Sequence, residues 1–357
     1  MVRQQFLTGT SFFKLLKILF KHRISTKYFL DIIRLVKVSL ISSIFSFIDN
    51  ILYRRRIKNT AIIDSPVFII GHWRSGTTFL QKILAQDQQF ATPSFYQCAL
   101  PQAFLSSEKF IKSAISKTLP PTRIFDAMSF GVDEPFDDEF ALLKLTSNSY
   151  MLHFIFPDKS SFNEHLKLYK INKKRWSKSF LWFAKKITYA TGCRLLFKSP
   201  MNTLRIKEIL KLFPGAKFIY IYRRPEDVFI SSLHQANKLF EHNKLTANKT
   251  DSGKFILSRY ISLFNAYSED KKLIPKSHLI EIAFEELEKS PAEITRSIYS
   301  KLAIDGYSKA EADISAYLRS TRNYKKNVYK ITNKERALVN NRWDKAYKMF
   351  NYRHIDT

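Results

Sequence analysis

The chain has 357 residues, of which 45% are hydrophobic and 25% charged, and its formal net charge is +28. Its length and apolar content are sufficient for a large buried core and exclude an intrinsically disordered chain. The charge favours a polyanionic partner, whether nucleic acid, an anionic membrane or a phosphate-rich ligand. The two cysteines, Cys98 and Cys193, exclude a disulfide framework and are typical of a reducing, cytoplasmic compartment.

Residues 1–59 predict a basic, amphipathic helical extension. Apolar side chains recur around lysines and arginines between residues 12 and 37, and three arginines at 54–56 close the region. Two interpretations remain open, namely a helical cap on the rest of the protein and a basic surface that rests on an anionic bilayer. The longest uncharged apolar run, Val38 to Ile48, is shorter than a membrane span, so we expect no transmembrane helix and no secretory signal.

Residues 60–357 predict one P-loop-type α/β domain. Short apolar segments separated by helical stretches predict buried strands at 67–70, 195–197, 217–222 and 278–282. Strands that alternate with helices favour a mostly parallel central sheet with helices on both faces.

The segment from Gly71 to Thr78 follows the first predicted strand with the spacing of a phosphate-binding loop, G-x-x-x-x-G-x-[ST]. Glycines let the backbone wrap closely, so that amide groups and the start of the next helix can face a phosphate. The position that holds lysine in nucleoside triphosphatases is Thr77, and the positive charge lies at Arg74 instead. The loop therefore lacks the group that reaches the β- and γ-phosphates of ATP.

A second strand–loop–helix segment carries another arginine at a strand end. Arg223 follows the strand at 217–222, Pro225 suits the first position of the next helix, and Ser231 lies eight residues after the arginine. An arginine at this edge of a parallel sheet can bind a phosphate through two hydrogen bonds. The sequence therefore predicts two anion sites at the same edge of one sheet.

The two motifs together resemble those of sulfotransferases that use PAPS (3′-phosphoadenosine 5′-phosphosulfate), with the closest likeness to a bacterial branch. The resemblance covers roughly residues 66–330. It implies that the 5′-phosphosulfate is bound by the first loop, through Arg74, Ser75, Gly76, Thr77 and Thr78. It also implies that the 3′-phosphate is bound by Arg223 and Ser231.

Two further basic segments are similar to parts of this family. Lys198, in Lys198-Ser199-Pro200, resembles the lysine that acts near the transferred group, although a solvated lysine at a strand end is the alternative. A stretch that includes Lys325 and Lys326 resembles the basic loop that closes over the nucleotide, although a solvated charge run is equally compatible.

The catalytic base does not follow from the resemblance. Cytosolic sulfotransferases have a histidine two residues after the motif lysine, where this chain has Pro200. An acidic cluster at 133–139 is the best substitute, with Glu139 as the preferred base and Asp137 beside it, because a carboxylate can deprotonate a hydroxyl within hydrogen-bond reach. The same acids also suit the first turn of a helix. His153 is the histidine alternative.

The predicted function is transfer of a sulfuryl group from PAPS to an acceptor hydroxyl, with release of 3′,5′-ADP and, by resemblance, no metal. His72, within the loop, is expected to donate to phosphate rather than act as a base. Abundant phenylalanines and the basic N-terminal helices favour a lipid- or sterol-like alcohol, used at the inner membrane face, over a carbohydrate or an amine. The alternatives are a P-loop nucleotide kinase or NTPase and a non-catalytic basic protein, although no nucleic-acid-binding motif is present.

Overall fold

The computed structural model describes residues 5–157, 172–248, 251–322 and 327–354. By its internal contacts the chain divides into two compact units, each assembled from segments far apart in sequence. The first unit consists of residues 1–62, 93–192 and 236–251, and the second of residues 63–92, 193–235 and 252–357. The expected boundary between residues 59 and 60 stays a prediction.

The second unit contains a five-stranded sheet in the order β2-β3-β1-β4-β5, and every strand pairing in it is parallel. Its strands are β1 (Val67–Gly71), β2 (Phe90–Ala91), β3 (Arg194–Lys198), β4 (Lys217–Tyr222) and β5 (Leu279–Ala283). The predicted parallel α/β sheet is confirmed, and each of the four predicted strands is present. The two-residue β2 is too short for any periodic pattern to predict.

The helices surround this sheet or form the first unit. The α-helices of the described ranges are α1 (Phe12–Leu19), α2 (Phe29–Asn59), α3 (Thr77–Leu84), α4 (Phe95–Ala99), α5 (Phe104–Ser116), α6 (Glu139–Thr146), α7 (Leu152–Ile155), α8 (Lys173–Thr191), α9 (Ile206–Leu212), α10 (Pro225–Asn243), α11 (Ser252–Asp270), α12 (Phe284–Lys289), α13 (Pro291–Lys301), α14 (Tyr307–Ser320) and α15 (Asn333–Met349). Short 3₁₀ helices lie at Thr26–Tyr28, Pro200–Leu204, Lys271–Leu273 and Lys276–His278.

The central strand β1 is buried on both faces, which explains its uninterrupted apolar sequence. Val67 and Ile69 point to one face and join a cluster with residues of α3, α13 and α14. Phe68 points to the other face, where its ring lies 5.5 Å from that of Phe197 and 5.6 Å from that of Phe218. Because side chains alternate along a strand, one apolar run supplies the core on both sides of the sheet.

In the first unit, α2 is one continuous helix of 31 residues. Buried polar contacts attach it to the rest of the unit. Asp49 accepts hydrogen bonds from the amides of Leu105 (3.2 Å) and Ser106 (2.8 Å) and pairs with the Lys186 ammonium at 2.6 Å. The Ser42 hydroxyl donates to the Gly9 carbonyl at 2.9 Å. The N-terminal helical extension is thus present, and it packs as part of the unit.

One helical stretch bears on the expectation that the chain has no transmembrane helix, which stays a prediction. Residues Thr26–Asn59 form a helical stretch that is long and apolar enough to cross a bilayer. The sequence criterion did not select this stretch because it counted only uncharged runs, whereas a span tolerates isolated charged residues. Length and composition alone do not show that α2 crosses a membrane, since core helices of soluble proteins share them.

Candidate active site

The loop between β1 and α3 is shaped by two glycines in positive-φ conformations, +143° at Gly71 and +95° at Gly76. A Cβ on Gly71 would clash with the Ile221 carbonyl oxygen, and one on Gly76 would clash with the Phe284 ring. Only glycine therefore allows this close passage of the backbone. Gly76 directly precedes α3, so the positive end of that helix adjoins the loop.

Hydrogen bonds within the second unit hold the ends of the loop. The buried Ser75 hydroxyl lies 2.7 Å from the His72 carbonyl oxygen and 3.0 Å from that of Ile221, so its single proton stabilises the shape of the loop. The Gly71 amide donates to the Thr203 hydroxyl at 2.9 Å, and that hydroxyl lies 3.0 Å from the Gly71 carbonyl oxygen. Sequence reasoning missed Thr203, although it closely follows the Lys-Ser-Pro segment.

The two predicted phosphate motifs meet at Arg74. Its Nε donates to the Ser231 hydroxyl at 2.9 Å, and its carbonyl oxygen accepts from Nη1 of Arg223 at 3.3 Å. Arg74 adopts a left-handed backbone conformation with φ +69°. That conformation costs about 1–2 kcal/mol for a residue other than glycine. Segments separated by roughly 150 residues thus form one cationic site.

Arg223 lies directly after β4 and has an incompletely satisfied guanidinium group. Its Nη2 pairs with the partly exposed Asp227 at 3.3 Å, and its cationic carbon lies 4.8 Å from the centre of the Phe284 ring. Its Nε is buried and has no hydrogen-bond acceptor among the described residues. A buried donor without an acceptor costs free energy, and an anion bound here would remove that cost. Phe284, which sequence reasoning missed, is the first residue after β5.

Lys198 lies at the same edge of the sheet as the loop. It is the last residue of β3 and is paired in register with Ile69 of the central strand. The order of strands reverses at β1, which has β3 on one side and β4 on the other. Ligands of open parallel sheets bind at such a reversal, outside the carboxyl ends of the strands. The loop, Lys198 and Arg223 all lie at these ends.

A model of the sulfotransferase family, in the group named Sulfotransfer_3, matches residues 66–309. The chain belongs to the sulfotransferase family. It is similar to omega-hydroxy-beta-dihydromenaquinone-9 sulfotransferase Stf3 of Mycobacterium bovis and of Mycobacterium tuberculosis. Each is 28% identical to it over 323 residues, which cover 88% of this chain and 82% of the relative. The protein is therefore a transferase, and family membership favours sulfuryl transfer over the alternative of a P-loop kinase or NTPase.

Solved sulfotransferase structures share the fold. Sulfotransferase STF9 from Mycobacterium avium superposes with a TM-score of 0.71, at 14% identity, over 89% of this chain and 85% of that chain. STF1 from Mycobacterium tuberculosis superposes with a TM-score of 0.63, at 14% identity, over 87% of this chain and 82% of that chain. At this identity the likeness supports the architecture and assigns no residue roles.

His72 lies in the loop with one ring nitrogen close to a backbone carbonyl. Nδ1 of His72 lies 2.7 Å from the Trp73 carbonyl oxygen, and since a carbonyl only accepts, Nδ1 carries the proton. Burial, with Arg259 nearby, holds the pKa of His72 well below its usual value of 6.5. The imidazole is therefore neutral and its Nε2 is an acceptor. Without a bound anion the single ring proton is engaged with this carbonyl, and the expectation that His72 donates to phosphate stays a prediction.

The other predicted nucleotide-binding residues lie at the helix start or beyond the described ranges. Thr77 and Thr78 are the first two residues of α3, directly after Gly76. Lys325 and Lys326 fall outside the described residues, so their role in closing over the nucleotide stays a prediction.

The predicted catalytic carboxylates belong to the first unit. Glu139 is fully buried at the start of α6, where Oε1 accepts from the Ser149 hydroxyl at 2.6 Å. The Glu139 amide donates to Oδ1 of Asp137 at 3.0 Å. A carboxylate at this position also stabilises the helix dipole. His153 is buried in the same unit, with its ring 5.5 Å from that of Phe240. The assignment of any of them as the base stays a prediction.

Proposed function

We propose that this sulfotransferase transfers a sulfuryl group from PAPS to the hydroxyl of a lipophilic acceptor and releases 3′,5′-ADP. The observation that carries the choice of donor is the convergence of Arg74, Ser231 and Arg223 at the reversal point of the parallel sheet. Two arginines that contact each other at this edge suit a nucleotide that carries anionic groups on both the 3′ and the 5′ positions of its ribose.

The two ends of the nucleotide would use different parts of this site. Arg74 and the amides at the start of α3 would bind the 5′-phosphosulfate, since a helix start offers both amide donors and positive charge. Arg223 and Ser231 would bind the 3′-phosphate, and the unsatisfied Nε of Arg223 supports this assignment. The bond between Arg74 and Ser231 would keep both anion sites in register.

The proposed transfer is an in-line displacement. The acceptor oxygen forms a bond to sulfur while the bond between sulfur and the bridging phosphate oxygen breaks, and that oxygen keeps the electron pair. The acceptor proton passes to a base, for which Glu139 and its neighbour Asp137 are our candidates. Arg74 and Lys198 stabilise the negative charge on the leaving phosphate. A positioned donor of this kind contributes about 3 kcal/mol of transition-state stabilisation.

The acceptor we propose is a long-chain, isoprenoid-like alcohol. The support is the relationship to enzymes named as omega-hydroxy-beta-dihydromenaquinone-9 sulfotransferases, which extends over 82% of their length. Those names describe a hydroxyl group on a large apolar molecule. We place the reaction in the cytoplasm, because Cys98 and Cys193 form no disulfide, which is typical of a reducing compartment.

Thermal-shift titration tests the donor. We expect 3′,5′-ADP to raise the melting temperature without magnesium, and 5′-AMP, which lacks the 3′-phosphate, to raise it much less. Stabilisation that requires Mg-ATP and is absent with 3′,5′-ADP would overturn the donor assignment.

Incubation with radiolabelled PAPS tests the acceptor separately. We expect label to move to an isoprenoid quinone that ends in a hydroxyl, and not to the matched methyl ether. Transfer to a sugar or an amine, with none to the long-chain alcohol, would contradict the acceptor class while leaving the donor assignment intact.

A further inference from the structure

The middle of α2 presents a broad apolar surface to solvent. We define the outer face as the exposed side chains of Leu40, Ile41, Ile44, Phe47, Ile51 and Leu52. Ile44, Phe47 and Ile51 are each 60–66% exposed, so most of the surface of these three apolar side chains is uncovered. A contiguous apolar surface of this kind marks an interaction site rather than the scattered apolar residues of an ordinary surface.

Basic residues flank the outer face at both ends. The exposed Arg34 and Lys37 precede it, and the exposed residues that follow it include Arg54 and Arg55. Of the acidic residues of α2, Asp31 lies 3.8 Å from Arg34 and offsets part of the charge at the first end, whereas Asp49 is buried in its pair with Lys186. The outer face is therefore apolar in the middle and cationic at its ends.

A neighbouring helix extends the apolar surface. The Phe110 ring of α5 lies 5.9 Å from that of Phe45 of α2, and Phe110 is 73% exposed. The surface thus spans two packed helices of the first unit.

The opposite side of α2 contains the buried polar contacts of the unit. Ser39, Ser42 and Asp49 are buried there, and Asp49 holds Lys186 and the start of α5. A helix that crossed a bilayer alone would lose these partners and expose polar groups to hydrocarbon, at a large cost. The outer face from residue 40 to 52 is about 18 Å long, whereas the hydrocarbon core is about 30 Å thick. Both observations favour a helix that lies along the membrane.

We propose that the outer face docks on an anionic lipid bilayer, with α2 parallel to the membrane plane. Ile44, Phe47 and Ile51 enter the boundary of the acyl chains, and the flanking arginines and lysines contact lipid phosphates. A second copy of this chain fits the face less well, because parallel and antiparallel pairing of two α2 helices both bring basic ends together. This inference does not rest on the proposed donor or acceptor.

Vesicle flotation of the full-length protein tests the docking. We expect the protein to float with vesicles of phosphatidylcholine and phosphatidylglycerol in equal parts. The double variant Ile44→Gln/Phe47→Gln should lower the partition coefficient by about ten-fold or more, since both apolar side chains leave the membrane. Its matched control is Leu273→Gln/Leu338→Gln, which alters two exposed leucines of the second unit and should bind as the parent does. Parent protein that stays in solution, or equal losses in both double variants, would overturn the docking.

A charge variant tests the lipid requirement. Arg54→Gln/Arg55→Gln should weaken binding to the anionic vesicles by about five-fold for each charge removed, whereas Arg54→Lys/Arg55→Lys should retain it. Equal binding of the parent protein to vesicles of phosphatidylcholine alone would contradict the role of the basic ends.

Two further measurements separate docking in the plane from its rivals. An environment-sensitive fluorophore on Ile41→Cys or on Leu52→Cys, in a Cys193→Ser background, should report the same shallow depth for both positions. Clearly different depths would support a spanning helix and overturn the inference.

Light scattering of the lipid-free protein should give the same mass for the parent and Ile44→Gln/Phe47→Gln. A dimer that only the parent forms would show that a second copy covers the face.

Discussion

The edge of the sheet and the outer face of α2 use positive charge in opposite ways. At the sheet edge, Arg74 and Arg223 each donate to a defined acceptor within 3.3 Å, and the two residues are in contact. On α2, Arg54 and Arg55 are exposed at the end of an apolar surface. Fixed guanidinium groups select an anion by its geometry, whereas exposed ones attract any anionic surface. Under the two proposals, the net charge of +28 serves two different kinds of recognition.

The loop and α2 also differ in the contacts that stabilise them. The loop is held by two side-chain hydroxyls, that of Thr203 on the Gly71 amide and that of Ser75 on the His72 carbonyl. The helix α2 instead depends on a few buried polar contacts along one side, with Asp49 and Lys186 at the centre. Loss of one contact should therefore affect stability most in α2 and catalysis most at the loop.

The largest effect on stability is expected from Lys186→Met. Burial lowers the pKa of Lys186 to about 8 even though Asp49 opposes the shift, so the ion pair is already costly to keep. Removing only the cation leaves the Asp49 carboxylate buried without it, which should reduce the free energy of unfolding by about 3–5 kcal/mol. Urea denaturation measures the change.

The matched control for that prediction is Lys185→Met. Lys185 is the preceding residue of the same helix, and its ammonium group makes an exposed hydrogen bond to the Lys58 carbonyl. We expect its free energy of unfolding to change by about 0.5 kcal/mol or less. Equal losses in the two variants would show that the buried pair does not anchor α2.

The next largest effect is expected from Arg74→Ala. If Arg74 stabilises the charge on the leaving phosphate, kcat at saturating donor should fall by about 100- to 1000-fold. Arg74→Lys keeps the charge but loses the bond from Nε to Ser231, so it should retain part of the activity. Ser231→Ala should mainly raise KM for the donor. Near-normal kinetics in Arg74→Ala and Ser231→Ala would refute the assignment of the site.

The contrast between the two regions also explains which parts were predictable. Arg74, Arg223 and Ser231 stand at fixed distances from strands and helix starts, so a local pattern was enough to predict that they share a sheet edge. The outer face was not predictable, because between Val38 and Ile48 the apolar residues share one side of α2 and the serines the other, a pattern that normally places the apolar side against the core. Which side is covered depends on long-range contacts such as that of Asp49 with Lys186, which periodicity does not reveal.

Contacts within the folded protein also account for the features of the site that sequence reasoning missed. Phe284 adjoins Gly76 because β5 and β1 belong to the same sheet, although more than 200 residues separate them. The proton position of His72 depends on a backbone carbonyl of the folded loop. Neither the packing of a ring nor the direction of a single proton can be deduced from residue spacing.

A smaller effect, on binding alone, is expected from Arg223→Ala. Loss of a charge-assisted contact to the 3′-phosphate should weaken binding of 3′,5′-ADP by about 10- to 100-fold. Binding of 5′-AMP should change little, because it lacks that phosphate. The control is Arg224→Ala, since the Arg224 guanidinium packs on the Tyr352 ring at 5.3 Å. Calorimetric titration measures both ligands, and equal losses for both would show that Arg223 does not distinguish the 3′ end.

The smallest effect is expected in the pH dependence of stability. It tests whether the loop excludes solvent, in contrast to the exposed outer face. The folded-state pKa of His72 lies well below 6.5 because the ring is buried, with Arg259 nearby. The neutral ring therefore contributes stability above about pH 6.5, and this contribution is lost as the pH falls, by up to about 1.4 kcal/mol per pH unit. His72→Asn can still donate to the Trp73 carbonyl but does not titrate, so its free energy of unfolding should fall less steeply on acidification.

His354→Asn, which alters an exposed histidine, should keep the parent slope. A parent-like slope in His72→Asn would mean that the imidazole is already accessible to protons in the folded loop.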